Sequence, residues 1–175
     1  MPEPFQPSRI VETLHRYDVR YVLIGGLAAA IHGSPATTND ADICPDRGFD
    51  NLVALASALR EMEARIRTDA VEGGLPFACD AEFLARMDVA VNLTTKYGDF
   101  DISYRPAAFN AGYPDLLPHA VAFDIDGVGV LVASLADIIK SNRTADRPKD
   151  HATLPILEAL QDEIADRERR KPTNP

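Results

Sequence analysis

Apolar residues recur at helical spacing near the start of the chain, with Ile10, Val11 and Leu14 on one face behind Ser8 as a candidate N-cap. The pattern predicts an amphipathic helix packed on a sheet. Residues 20–24 form a short, nearly continuous apolar run of the kind a buried strand requires. Gly25 and Gly26 punctuate that strand before an alanine-rich helix over 27–32, which Gly33, Ser34 and Pro35 stop. A loop through Asn39 leads to a second strand over 40–44. The turn from Pro45 to Gly48 then opens a helix over 50–66 whose stripe is Leu52, Leu55, Leu59 and Met62.

Residues 68–79 contain Gly73, Gly74 and Pro76 without periodicity and read as a loop or short irregular strand, followed by a helical piece over 81–86. Residues 89–93 and 100–104 alternate around a turn at 96–99, which predicts a β-hairpin. Residues 121–125 and 128–132 flank Asp126-Gly127 and give the clearest hairpin signal in the chain. Ser134 with Asp137 reads as a helix start for a helix carrying Lys140 and Arg143. A last helix spans about 148–168, with Leu154, Leu157, Leu160 and Ile164 at helical spacing. The element order predicts an α/β (α+β) fold, a small mixed β-sheet with packed helices, as one domain over 1–170 with 171–175 as a frayed tail.

Composition narrows the function classes. At 175 residues and 46% hydrophobic content the chain suffices for one ordinary core. A net charge of -9 argues against a general, nonspecific nucleic-acid binder. It leaves room for a local basic groove, and Lys140, Arg143, Arg147 and Lys149 gather within ten residues. No run of about eighteen apolar residues exists, and the first residues lack a secretory pattern, so a cytoplasmic protein without membrane contact is expected. Cys44 and Cys79 stand apart, without metal-ligand spacing.

The candidate chemistry starts at Asp40 and Asp42. Residues at i and i+2 of a strand share a face, so both carboxylates leave Ala41 and Ile43 to the core. Left alone they repel each other, and a divalent cation between them favours the doubly ionised state. Asp101, between the core-facing Phe100 and Ile102, adds a third acid, while Asp99 shares that face but is expected at the turn and solvated. Three such carboxylates suit two Mg²⁺ ions, with Mn²⁺ as the alternative, and Asp101 is placed to assist deprotonation of an acceptor hydroxyl. Upstream, the backbone amides at Gly25 and Gly26 suit a triphosphate.

The segments GGLAAAIHG, TTNDADI, KYGDFDI and SLADIIKSNRTADRPKD together resemble the nucleotidyltransferase superfamily related to DNA polymerase β, and most closely AbiEii-type toxins of type IV toxin–antitoxin systems. The resemblance covers about residues 21–160. It implies a minimal nucleotidyltransferase fold, phosphate contacts at Gly25 and Gly26, and metal ligands at Asp40, Asp42 and Asp101. It also implies roles for Lys140 on the phosphates, with Arg143 beside it, and for Asp150 in orienting Lys140. Two positions depart from the pattern: Gly26 stands where polymerase-like members carry Ser, and Ala36 where many relatives carry Arg.

What the resemblance implies is transfer of a nucleoside monophosphate from an NTP to an acceptor, with tRNA at its 3′ end as the acceptor and a cognate antitoxin as partner. An aminoglycoside or a protein hydroxyl is the alternative acceptor. A nucleotide-binding protein that has lost its chemistry is the alternative from another class, and the departures at Gly26 and Ala36 motivate it.

Overall fold

The computed structural model describes residues 4–171. Its centre is one seven-stranded mixed sheet of order β3-β4-β5-β2-β1-β7-β6. The strands are β1 (Tyr21–Ile24), β2 (Asp40–Pro45), β3 (Arg65–Ile66), β4 (Ala90–Thr95), β5 (Gly98–Ser103), β6 (Val121–Ile125) and β7 (Val128–Val132). The helices are α1 (Pro7–Arg16), α2 (Gly25–Ile31), α3 (Phe49–Glu61), α4 (Ala81–Arg86), α5 (Tyr113–Leu116), α6 (Leu135–Ala145) and α7 (Pro148–Arg170). Among the described residues no helix is long and apolar enough to cross a membrane.

Cross-strand register sorts the two faces of the sheet. Leu23 lies opposite Ile43, Ala41 opposite Phe100, Ile43 opposite Ile102, and Leu93 opposite Phe100. All six are almost fully buried and form one side of the core, so their neighbours at i±1 must point to the other side. That other side carries Asp40, Asp42, Asp99 and Asp101. Helix α1 packs on the sheet against β2 and β7 and also touches α3, as its apolar stripe predicts.

Several boundaries differ from the sequence expectation, each for a local reason. Helix α3 ends at Glu61 rather than running to 66, because Glu63 turns left-handed (φ 57°) and Arg65–Ile66 pairs with β4 as an edge strand. Gly25 and Gly26 do not precede α2; they are its first two residues. Ser8 lies inside α1, whose cap is Gln6, and its hydroxyl bonds Asp126 on the far hairpin. The first hairpin turns on Lys96 and Tyr97 alone, so Asp99 is a strand residue opposite Asp40. The α6 start is as expected: Ser134 Oγ accepts from Asp137 N at 3.1 Å. Of the expected tail at 171–175, Lys171 caps the end of α7 and 172–175 lie outside the described residues.

Between β5 and β6 the chain crosses the sheet through α5, which touches β1. Gly112 makes that crossing close. Its φ is 69°, and a Cβ there would lie 2.1 Å from Tyr104 O. The obstructing atom is main chain at the end of β5, which cannot rotate away. Gly112→Ala is therefore expected to lower unfolding stability by about 2–4 kcal/mol, read as a lower urea midpoint; an unchanged midpoint would show that the crossing is not tied to β5 in this way.

Candidate active site

The site begins with the parallel pairing of β2 and β5, which puts Asp42 opposite Asp101 and Asp40 opposite Asp99. One carboxylate oxygen from each of Asp40, Asp42 and Asp101 lies within 4.8 Å of the others. Thr38 Oγ1 donates to Asp40 Oδ1 at 2.9 Å and fixes its orientation. Gly25 (φ 70°) lets the start of α2 approach Asp42, because a Cβ there would come within 2.5 Å of Asp42 Oδ2. Gly26 does the same for Thr38: a Cβ at 26 would sit 3.0 Å from Thr38 Oγ1. A side chain at 26 would crowd Thr38, whose hydroxyl is already given to Asp40.

The electrostatics are those of a site short of positive charge. Burial, then Asp40, then Asp101 push the Asp42 carboxyl up to about 7, while Lys149 and Arg67 pull it down. Burial also raises Asp101, against the opposing effect of Arg67. Arg67 Nη2 donates to Asp101 Oδ2 at 2.7 Å and Arg67 Nη1 sits 3.0 Å from Asp99 Oδ2. Asp101 Oδ1 is buried and no donor meets it in hydrogen-bond geometry, although the main-chain N–H of Leu93 lies near enough to the carboxylate to help hold its pKa down. A buried acceptor without a donor is costly, and hard oxygen donors in a group of three are what Mg²⁺ or Mn²⁺ takes. The residues present therefore fit such an ion.

Asp40 and Asp42 open into a cleft of about 520 Å³, whose walls include Asp99 but not Asp101. Gly25, Gly26, Thr37 and Thr38 wall it beside Asp40 and Asp42; one face of α6 and the first turns of α7 wall the opposite side. The α6 face is made of Asp137, Ile138, Ser141, Asn142 and Ala145, at helical spacing. Lys140 and Arg143 are not among the cleft walls. The Lys140 ammonium lies 5.0 Å over the Phe109 ring, and Arg143 pairs with Glu158. The cations that do line the cleft are Arg147 and Lys149.

Asp150 orients Arg147, where Lys140 was the expected partner. It accepts from Arg147 N at 3.0 Å, Nε at 2.8 Å and Nη2 at 3.1 Å. Burial pushes its carboxyl up, and these bonds more than offset that, leaving it below its ordinary value. His32 is spoken for: its Nε2 lies 2.8 Å from Ala133 O, tying the end of α2 to the end of β7, and its ring meets Phe123 edge-on. One residue was missed in the sequence: Arg67 lies at the edge of an aperiodic stretch and reaches the acids only through the β3–β4 pairing. Asp99 shares the face of Asp101 as expected, but as a strand residue, because β5 starts at Gly98.

No family model matches the chain, and no curated protein matches it. Solved structures do. The lincomycin-bound lincosamide antibiotic adenylyltransferase LnuA aligns at TM-score 0.60 and 14% identity, covering 90% of this chain and 99% of that one. A Thermotoga maritima protein assigned to the nucleotidyltransferases aligns at 0.52 and 17% identity over 91% and 97%. The antibiotic-resistance factor ANT(2″)-Ia aligns at 0.52 and 13% identity over 92% and 90%. At these identities the likeness is one of fold, and the fold of this chain is that of the small nucleotidyltransferases.

Proposed function

We propose that the chain is a divalent-metal-dependent nucleotidyltransferase that moves a nucleoside monophosphate from an NTP to an acceptor hydroxyl. The observation that carries this is the set of three carboxylates held in register on β2 and β5, with Asp42 pushed up to about 7 by burial and by the other two. Asp40, Asp42 and Asp101 would hold Mg²⁺, which supplies Lewis-acid stabilisation of phosphoryl charge and lowers the pKa of the acceptor hydroxyl. Gly25 and Gly26, which open α2 in the cleft wall, would offer their amides to the triphosphate. Asp101, beside that ion, would assist loss of the acceptor's proton to solvent as the acceptor oxygen bonds the α-phosphorus. The bond from that phosphorus to the bridging oxygen breaks, and pyrophosphate leaves with the electron pair. Arg147, set by Asp150, and Lys149 take the developing charge on the leaving group, supplying the cations that Ala36 does not.

Two acceptors are each favoured by an observation. The resemblance of the sequence to AbiEii-type toxins, with Arg147 and Lys149 at the cleft, supports the 3′ end of tRNA and a toxin role opposed by an antitoxin. Alignment to nearly the whole length of an adenylyltransferase solved with lincomycin, together with the net charge of -9, supports a small cationic hydroxyl compound. Incubation with each labelled NTP and either total RNA, tobramycin or lincomycin separates them by where the label appears. Label in none of these, under conditions where the NTP binds, would contradict the transferase reading.

The variant Asp42→Asn should lose transfer by at least about 100-fold and yet gain stability when no divalent ion is present. The sign follows from linkage. A carboxyl whose folded pKa lies above its unfolded value favours the folded state least when ionised, so its destabilising effect is absent below about pH 4. The effect grows through the interval up to about 7 and is complete above that. Removing the charge should stabilise the protein at pH 8 by at most about 4 kcal/mol, less where water reaches the group, and have little effect at pH 4. Urea denaturation in EDTA measures it, and an Asp42→Asn protein no more stable than the parent at pH 8 would contradict the electrostatic account. On the opposite wall, Lys149→Ala is expected to lower kcat/KM by about 30-fold, whereas Lys140→Ala should stay within about threefold of the parent.

A further inference from the structure

Arg67 is fixed by main chain as well as side chain. It follows the two-residue strand β3, its N–H donates to Asn92 O at 2.9 Å, and Asn92 lies directly opposite Asp101. From there the guanidinium spans Asp99 and Asp101, residues i and i+2 on one face of β5, with contacts of 3.0 and 2.7 Å. The side chain of Asp101 is only 16% exposed. Its Oδ2 is taken by Arg67, and its Oδ1 is buried without a partner.

We propose that Arg67 is a built-in counter-cation of the third carboxylate: it occupies one oxygen of Asp101, leaves the other for a divalent ion, and holds down the affinity of the site for that ion. Two effects oppose each other when such a residue is removed. Loss of orientation weakens metal binding, as is usual for groups that support a ligand. Loss of a full positive charge beside the ligand strengthens it. Asp101 has two rotatable side-chain bonds and sits on a strand paired on both sides, so little orientation is left to lose. The charge lies in direct contact with the ligand in a half-buried site, where it is poorly screened. The charge effect therefore wins. Arg67 accordingly acts through Asp101 by its charge, and the effect is a site that fills weakly until the phosphates of the nucleotide add their own oxygen ligands.

The inference rests on the metal-site reading above, and the test separates the two. Full-length protein stripped of metal is titrated with MnCl₂, with free Mn²⁺ followed by electron paramagnetic resonance and unfolding temperature followed in parallel. Arg67→Met and Arg67→Gln, which remove the charge with and without a hydrogen-bond donor, should both bind Mn²⁺ at least about tenfold more tightly than the parent. Both should melt lower without the ion and gain more from it. Arg67→Lys, which keeps the charge, should bind within about threefold of the parent. Unchanged or weaker binding in both neutral variants, with the parent binding normally, overturns the role of Arg67 alone. A parent that binds no Mn²⁺, or an Asp42→Asn control that binds as well as the parent, overturns the metal site and the role of Arg67 with it.

Discussion

Everything distinctive about this molecule depends on the repulsion among carboxylates that the β2–β5 pairing forces together. Asp42 faces Asp101 and Asp40 faces Asp99 across two adjacent strands in the middle of the sheet. The other face of the same strands is filled by Ala41, Ile43, Phe100 and Ile102, all fully buried. Period-two alternation means the acids cannot turn away without bringing those side chains out of the core. The fold therefore holds the charges in place with its own hydrophobic burial, and the site remains short of positive charge.

The surroundings read as partial remedies for that shortage. Arg67 covers Asp101 and Asp99 from the β3 side, Thr38 gives Asp40 a donor, and Lys149 bears on Asp42 from the start of α7. None of these bonds the orphaned Asp101 Oδ1. The two glycines at the start of α2 belong to the same economy of space: Gly25 admits Asp42, and Gly26 admits the threonine that orients Asp40. Gly26 thus stands against a threonine whose hydroxyl is given to Asp40.

The strands and the outward-facing acids were legible in the sequence because alternation is a local signal: Phe100 and Ile102 announce Asp101, and Ala41 and Ile43 announce Asp40 and Asp42. The β6–β7 hairpin and the Ser134 cap were legible for the same reason, each carrying its turn or cap residue in place. What was not legible depends on pairing between distant segments. Arg67 looks like the end of a helical run until β3 pairs with β4. The resemblance puts Lys140 on the phosphates and leaves Lys149 in the basic cluster, whereas the packing of α6 on α7 places Lys149, and not Lys140, in the cleft wall. Asp150 was expected to orient Lys140, but its partner is Arg147, three residues before it, as the capping geometry of α7 dictates.

The most direct test of the account is a crystal structure of the protein soaked with Mn²⁺ and a non-hydrolysable NTP analogue, with the metal located by its anomalous scattering. The account predicts Mn²⁺ bound by Asp40, Asp42 and the free oxygen of Asp101, with the triphosphate against the Gly25-Gly26 turn. Mn²⁺ and nucleotide bound away from these carboxylates, or an ordered triad with neither at saturating concentration, would contradict it.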